Sequence, residues 1–260
     1  MEPTPSPKSS AAVPIAIVVG FAMIAIAIFF TGGKTEQPAP SMQNKDVAKE
    51  DVIETGAPRQ VSEADYIRGN PNAPILMVEY SDYDCPFCKQ FHDTMKQVVE
   101  EFGVDGQVAW VYRQFPLAQL HPNSPKIAEA AMCVGDLGGN DAFWKFTDLV
   151  FEQREVEEPT NVTKLGDYAV KAGVNIDEFN ACTSSGRMKA VVEASIEDGF
   201  NIGARGTPYT LLIAGNQQAV INGAQSYTTV RGIVSNLIDQ LNGTFDPATA
   251  TATAPTTATQ

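Results

Sequence analysis

Residues 74–101, PILMVEYSDYDCPFCKQFHDTMKQVVEE, decide the fold. Residues 75–80 are an apolar, β-branched run of strand character, and a short acidic loop follows. Cys85-Pro86-Phe87-Cys88 then opens a helix along which Phe87, Phe91, Met95, Val98, Val99 and Phe102 recur at helical spacing. Two thiols separated by two residues at a helix start share one turn, near enough to close into a small disulfide ring. Pro86 suits the first helical position, where a missing N–H costs nothing and the fixed φ is already helical. The unpaired amides and partial positive charge of that helix end favour Cys85 as a thiolate. Cys85 is therefore expected to be the exposed attacking and leaving group. Cys88, one turn in, is expected to be shielded and to resolve a mixed disulfide.

Two plainer readings compete. A C-x-x-C can be half of a zinc site, but closure needs a second close pair of ligands. Cys133, Cys182, His92 and His121 are scattered singly, so no metal is expected. A purely structural disulfide is the other alternative, and a two-residue loop removes little unfolded-chain entropy.

Outward from this stretch, residues 61–74 hold one short apolar cluster and turn signals. Residues 107–115 (QVAWVYRQF) predict a second core strand, parallel to the first after a helical crossover. Residues 117–200 read as helices only. Asp141 can cap one carrying Phe143, Trp144, Phe146, Val150 and Phe151, and Asn161 another that stops at Gly173. A third places Met188, Val191, Val192, Ser195 and Ile196 on one face and is expected to stop at Gly199. Residues 209–214 (YTLLIA) predict a buried strand, Gly215-Asn216 a turn and residues 218–221 its hairpin partner. Val230 to Leu241 mark an amphipathic helix. The expected order is β, α, β, a helical insert, then β, β, α.

The ends differ in character. Residues 11–30 (AAVPIAIVVGFAMIAIAIFF) carry no charge and would span about 30 Å as a helix, enough to cross a bilayer core. We read residues 11–31 as an uncleaved transmembrane anchor behind a short tail (1–10). A cleaved signal peptide is the alternative, disfavoured by the length of the apolar run and the lack of a small-x-small site. Residues 32–60 look like a tether and 244–260 like an unpacked Thr/Ala/Pro tail. Between them lie a first α/β part (61–116), the insert (117–200) and a second α/β part (201–243). A redox pair among four cysteines suits an oxidising space, so the domain is expected on the extracytoplasmic side of the cell membrane. With a net charge of −13, the surface repels phosphate backbones, and nucleic acid is not an expected partner.

The C-x-x-C between strand and helix, and Gly206-Thr207-Pro208 just before a buried strand, together resemble the thioredoxin fold. The long helical insert narrows the resemblance to enzymes of the DsbA type. The segments GNPNAPILMVEYSDYDCPFC, YRQFPLAQLHP, DAFWKFTDLVF and GARGTPYTLLIAG are similar to that family, over about residues 65–241. The expected architecture is thus an α/β thioredoxin fold with an inserted helical subdomain, preceded by one transmembrane helix.

The resemblance implies several site residues. Pro208 would be cis and face the C-x-x-C, and Thr207 would offer backbone hydrogen bonds to an extended peptide, beside Pro86 and Phe87. Glu79 would lie beneath Cys88 as its proton acceptor or donor; a strand glutamate facing solvent is the alternative. Cys133 and Cys182 would form a structural disulfide, with two buried free thiols as the alternative. His92 reads as part of a solvated face and His121 as structural. Asp82 and Asp84 should oppose thiolate formation, partly offset by Lys89.

The activity implied is membrane-tethered oxidation of dithiols in cysteine-containing exported polypeptides, through a mixed disulfide on Cys85. Pro-Phe replaces the Pro-His of the most oxidising members, which predicts a milder oxidant. An isomerase or reductase kept reduced by a membrane donor is the second reading, and a non-catalytic peptide-binding or chaperone module the third. No Gly-rich phosphate loop is present and no cofactor is expected. Reoxidation would fall to a quinone-linked membrane thiol oxidase of DsbB type or one similar to vitamin K epoxide reductase.

Overall fold

The computed structural model describes residues 57–156 and 158–243. The expected anchor (11–31), most of the tether and the tail (244–260) lie outside the described residues. Among the described residues, no helix is long and apolar enough to cross a membrane.

Five strands, β1 (Tyr66–Gly69), β2 (Ile75–Ser81), β3 (Val108–Gln114), β4 (Tyr209–Ala214) and β5 (Gln217–Asn222), form one sheet in the order β1-β3-β2-β4-β5. β2 and β3 are parallel, from Ile75 opposite Val108 to Ser81 opposite Gln114, joined by helix α1 (Pro86–Phe102). The other pairs are antiparallel. Central strands covered on both faces need apolar side chains on both, which explains the apolar run of β2, interrupted at Glu79.

Between β3 and β4 come α2 (Ser124–Gln153), α3 (Leu165–Lys171), α4 (Ile176–Ser185) and α5 (Lys189–Asn201); α6 (Tyr227–Leu241) follows β5. One sheet face packs Met77, Trp110 and Leu212 against Phe91, Met95, Phe143 and Val234 of the helices. The opposite face packs Val78, Tyr80, Val111 and Leu211 against Phe115 and Ile202. A disulfide joins Cys133 of α2 to Cys182 of α4, with Cα atoms 5.9 Å apart.

Two expectations need correction. The sheet has an additional strand, β1, in the segment read as an apolar cluster with turns; it is four residues long and pairs antiparallel with β3. The helix expected from Asp141 is present as the second segment of α2: two helices meet at Gly139, whose non-helical φ of 76° favours glycine, and Asn140 beside it holds β1 by accepting from the Ile67 N–H (2.8 Å) and donating to its carbonyl (2.9 Å). Helix α5 runs past Gly199 to Asn201. Gly199 is a close-approach point: a Cβ there would lie 2.6 Å from the Phe115 ring and 2.9 Å from Tyr80.

Beneath that contact sits a buried ion cluster. Arg113 donates to Asp65 (3.0 Å), Asp198 (2.8 Å) and the Tyr80 hydroxyl (2.8 Å). Arg59, within the expected tether, donates to Asp65 at 2.6 Å and so fastens the chain entering the domain.

Candidate active site

Cys85 is the N-cap of α1, with extended φ/ψ (−77°, 123°), and Pro86 is the first helical residue. Cys88 is fully buried and accepts a long hydrogen bond from the Asp82 N–H at 3.5 Å. The Thr207-Pro208 peptide bond is cis. It brings the Thr207 carbonyl to 3.5 Å from Cys85 Sγ, within reach of the thiol proton. Cys85 was expected to be exposed; the whole residue is only 4% exposed, while neighbouring Phe87 is 60% exposed and offers an apolar surface at the rim.

The two sulfurs are electrostatically unequal. The Cys88 thiol, donating to Cys85, is the largest influence lowering the Cys85 pKa to about 6; burial opposes it, and the Thr207 side chain and the Cys88 and Phe87 amides add to it. The helix-tip amides emphasised by the sequence therefore act, but behind the partner thiol. Burial pushes Cys88 well above the ordinary thiol range, reinforced by its hydrogen bond to Cys85 and by the charges of Cys85 and Glu79. A thiolate is thus held at Cys85 and a thiol at Cys88.

Glu79 is 1% exposed, on the face of β2 that carries Met77 and packs beneath α1. Burial raises its pKa to about 7, moderated by Ser81 and Trp110 and reinforced by the charge of Cys85. A solvent-facing glutamate is therefore not what the structure contains.

Asp82 and Asp84, expected to oppose the thiolate, are engaged in holding the loop. Asp82 accepts from the Leu117 N–H (2.8 Å) and the Ser124 hydroxyl, and pairs with His121 Nδ1 (2.8 Å). Asp84 accepts from the Thr160 N–H (2.8 Å), and Arg154 donates to its backbone carbonyl (2.7 Å). Lys89 reaches the Phe151 carbonyl. The reading of His92 is corrected: it is 1% exposed, bonded through Nε2 to Asp148 (2.8 Å) and packed against Trp110 and Phe151, because α2 covers that side of α1.

Sequence reasoning passed over Tyr83, Arg154 and Thr160, which build the loop before Cys85, and Ser81, Tyr112, Gln114 and Thr210 beneath it. Strand register sets Tyr112 and Thr210 opposite Glu79, and Gln114 opposite Ser81 two residues further along β2. Among the described residues, no group of three or more His, Cys, Asp or Glu side chains is placed to hold a metal ion.

Comparison with known proteins agrees with this fold. The structure resembles BdbD from Bacillus subtilis, with a TM-score of 0.62 at 21% identity over 71% of this chain and 97% of that one. It also resembles alpha-DsbA1 of Wolbachia pipientis, with a TM-score of 0.59 at 20% identity over 69% and 93% of the two chains. At these identities the likeness shows the fold. Among curated proteins, one named Na(+)/H(+) antiporter NhaA 1 of Mycolicibacterium gilvum is 32% identical over 157 residues, 60% of this chain and 24% of that protein. A protein of the same name from Salinispora arenicola is 33% identical over 145 residues, 55% and 21% of the two chains. The chain spans less than a quarter of the length of these relatives. The family model described as thioredoxin matches residues 61–236, more than half of the sequence, and the chain belongs to the thioredoxin family.

Proposed function

We propose that the chain is a thiol–disulfide oxidoreductase of DsbA type that oxidises paired thiols in exported polypeptides. The observation that carries this is the opposed ionisation of two sulfurs one turn apart, with Cys85 held as thiolate and Cys88 as thiol, facing a cis proline. A thiolate stabilised only in the reduced state makes the Cys85–Cys88 disulfide easy to reduce, so the oxidised protein withdraws electrons from a substrate.

The exchange balances as follows. A substrate thiolate attacks Cys85 Sγ, the Cys85–Cys88 bond breaks, and its electron pair goes to Cys88 Sγ, which takes a proton. The substrate's second thiol loses its proton, attacks the sulfur joined to Cys85 and forms the substrate disulfide, and Cys85 leaves as thiolate. Two electrons pass from substrate to protein, and the proton taken up by Cys88 balances the one lost by the second thiol, so none is released net. Thr207 supplies a backbone carbonyl beside the reacting sulfur, and Phe87 an apolar contact, for an extended peptide.

Reoxidation is assigned to a quinone-linked membrane thiol oxidase of DsbB type or similar to vitamin K epoxide reductase. Residues 11–31 would tether the domain outside the cytoplasm; the likeness of 145–157 residues of the chain to parts of proteins named as Na(+)/H(+) antiporters supports a setting near a membrane. Reduction or isomerisation, with a donor keeping the pair reduced, is the second reading, favoured by Phe87 in place of a cationic residue. The reduction potential separates them: a value near −120 mV, about that of a strong oxidant, supports oxidation, and one near −270 mV, about that of thioredoxin, supports reduction. Replacing Cys88 by Ala should trap clients on Cys85. Absence of any trapped mixed disulfide would point to a peptide-binding module instead.

A further inference from the structure

Strand pairing sets Glu79 opposite Tyr112 on one side and Thr210 on the other, and Ser81 opposite Gln114. These side chains share the sheet face beneath α1, among aromatic rings. Both Glu79 carboxylate oxygens, Ser81 Oγ, the Tyr112 hydroxyl, Gln114 Oε1 and Thr210 Oγ1 are buried without a hydrogen-bond partner among the described residues. Isolated orphans of this kind are rare in native interiors, and several side by side mark a strip that ordered water would satisfy. The strip has a direction. Tyr83 stacks on Tyr112 with ring centroids 5.3 Å apart, and its hydroxyl pairs with Thr147 Oγ1 at 2.9 Å. Gln114 extends further, its amide 3.8 Å from Met132 Sδ. Tyr112, Gln114 and Met132 also line an open cavity of about 410 Å³, together with Tyr66 and Ser195. Neither cysteine of the C-x-x-C, nor Phe87, Thr207 or Pro208, belongs to its wall.

A docked peptide would cover Cys85, Phe87 and Pro208 at the moment when Cys88, released deep inside, needs a proton. We infer that this proton enters from the cavity side: water at Gln114 supplies it, and the hydroxyls of Tyr112 and Ser81 relay it with bridging water to Glu79 and Cys88. Each hydroxyl accepts one proton and passes on another, so the route is unchanged after transfer, and the water at the cavity ends one proton poorer. The inference rests on the oxidoreductase reading and adds a proton entry separate from the substrate face. Tyr112, Ser81 and Gln114 are positioning residues for that transfer.

The test uses the full chain, oxidised, reacting either with a peptide bearing two cysteines or with dithiothreitol, in H2O and in D2O. Tyr112→Phe keeps the ring and removes the relay hydroxyl. It should slow the peptide reaction roughly tenfold and enlarge its solvent isotope effect, while slowing the dithiothreitol reaction by under about twofold, because the small dithiol leaves the front open to water. Ser81→Ala should behave alike and serves if near-ultraviolet circular dichroism shows Tyr112→Phe to be misfolded. Equal slowing with both reagents, unchanged rates with both, or an unchanged isotope effect would overturn the route. A wild-type protein inert towards both reagents would instead defeat the oxidoreductase reading.

Discussion

Cys85 Sγ lies 3.5 Å from the carbonyl oxygen of Thr207, the residue whose bond to Pro208 is cis. The reacting sulfur is thereby placed beside an acceptor that a neighbouring extended chain can also use. Peptide recognition and sulfur exchange occur at one point on the rim.

The Cys85 thiol should titrate near pH 6, seen as thiolate absorbance at 240 nm that Cys85→Ser abolishes. Its folded pKa is depressed. The stability it gives the reduced form is therefore fully present above the ordinary thiol pKa and is lost as pH falls through about 6. Thermal melts of reduced protein between pH 5 and 9, compared with Cys85→Ser, check the sign. Titration like that of a free cysteine would contradict the thiolate assignment.

Glu79 has the opposite linkage, because its folded pKa is raised to about 7. Stability is complete below the ordinary carboxyl pKa and declines as pH rises through about 7, by a loss on the order of 3 kcal/mol. Glu79→Gln should therefore be more stable than the parent at pH 8 and should lose an inflection near pH 7 in its exchange rate. Parallel stability curves for the two proteins would refute this.

The Cys133–Cys182 bridge closes a loop of 49 residues, for which chain entropy gives about 4 kcal/mol. Replacing both cysteines by Ala should lower urea stability by about that amount. The Cys85 titration should stay in place, since the bridge joins α2 to α4 and takes no part in the C-x-x-C turn.

Arg154 and Asp84 are both buried, with Arg154 Nε 3.7 Å from the Asp84 carboxylate. Arg154→Met leaves that carboxylate without its cation and should cost about 3–5 kcal/mol by denaturant titration. A loss under about 1 kcal/mol would show that the Thr160 N–H suffices to hold it.

Phe87 is largely exposed, so Phe87→His should leave stability within about 0.5 kcal/mol. The imidazole adds a positive partner at the helix tip, which should lower the Cys85 pKa and raise the reduction potential. Equilibration with glutathione buffers reads the potential directly.

The strands and helices around the redox pair were legible because each is an apolar run closed by turn residues, as in YTLLIA before Gly215. β1 was not, because Tyr66–Gly69 is short, half-buried and defined only by its pairing with β3. Periodicity could not choose a face for Glu79 in a strand buried on both sides. His92 was misread for a related reason: the helix pattern shows one apolar side, whereas the Asp148 that fixes His92 lies 56 residues later. The cis bond at Pro208 came from family resemblance, as no local residue pattern specifies it.

Gly199 leaves no room for even one methyl group between α5 and the rings of Phe115 and Tyr80. Changes in chain length are therefore accommodated more cheaply at an exposed turn such as Gly186-Arg187. The junction where the excursion returns to the sheet must instead conserve its atomic clearance. A methyl-sized change at that seam would push α5 off the rings of Phe115 and Tyr80.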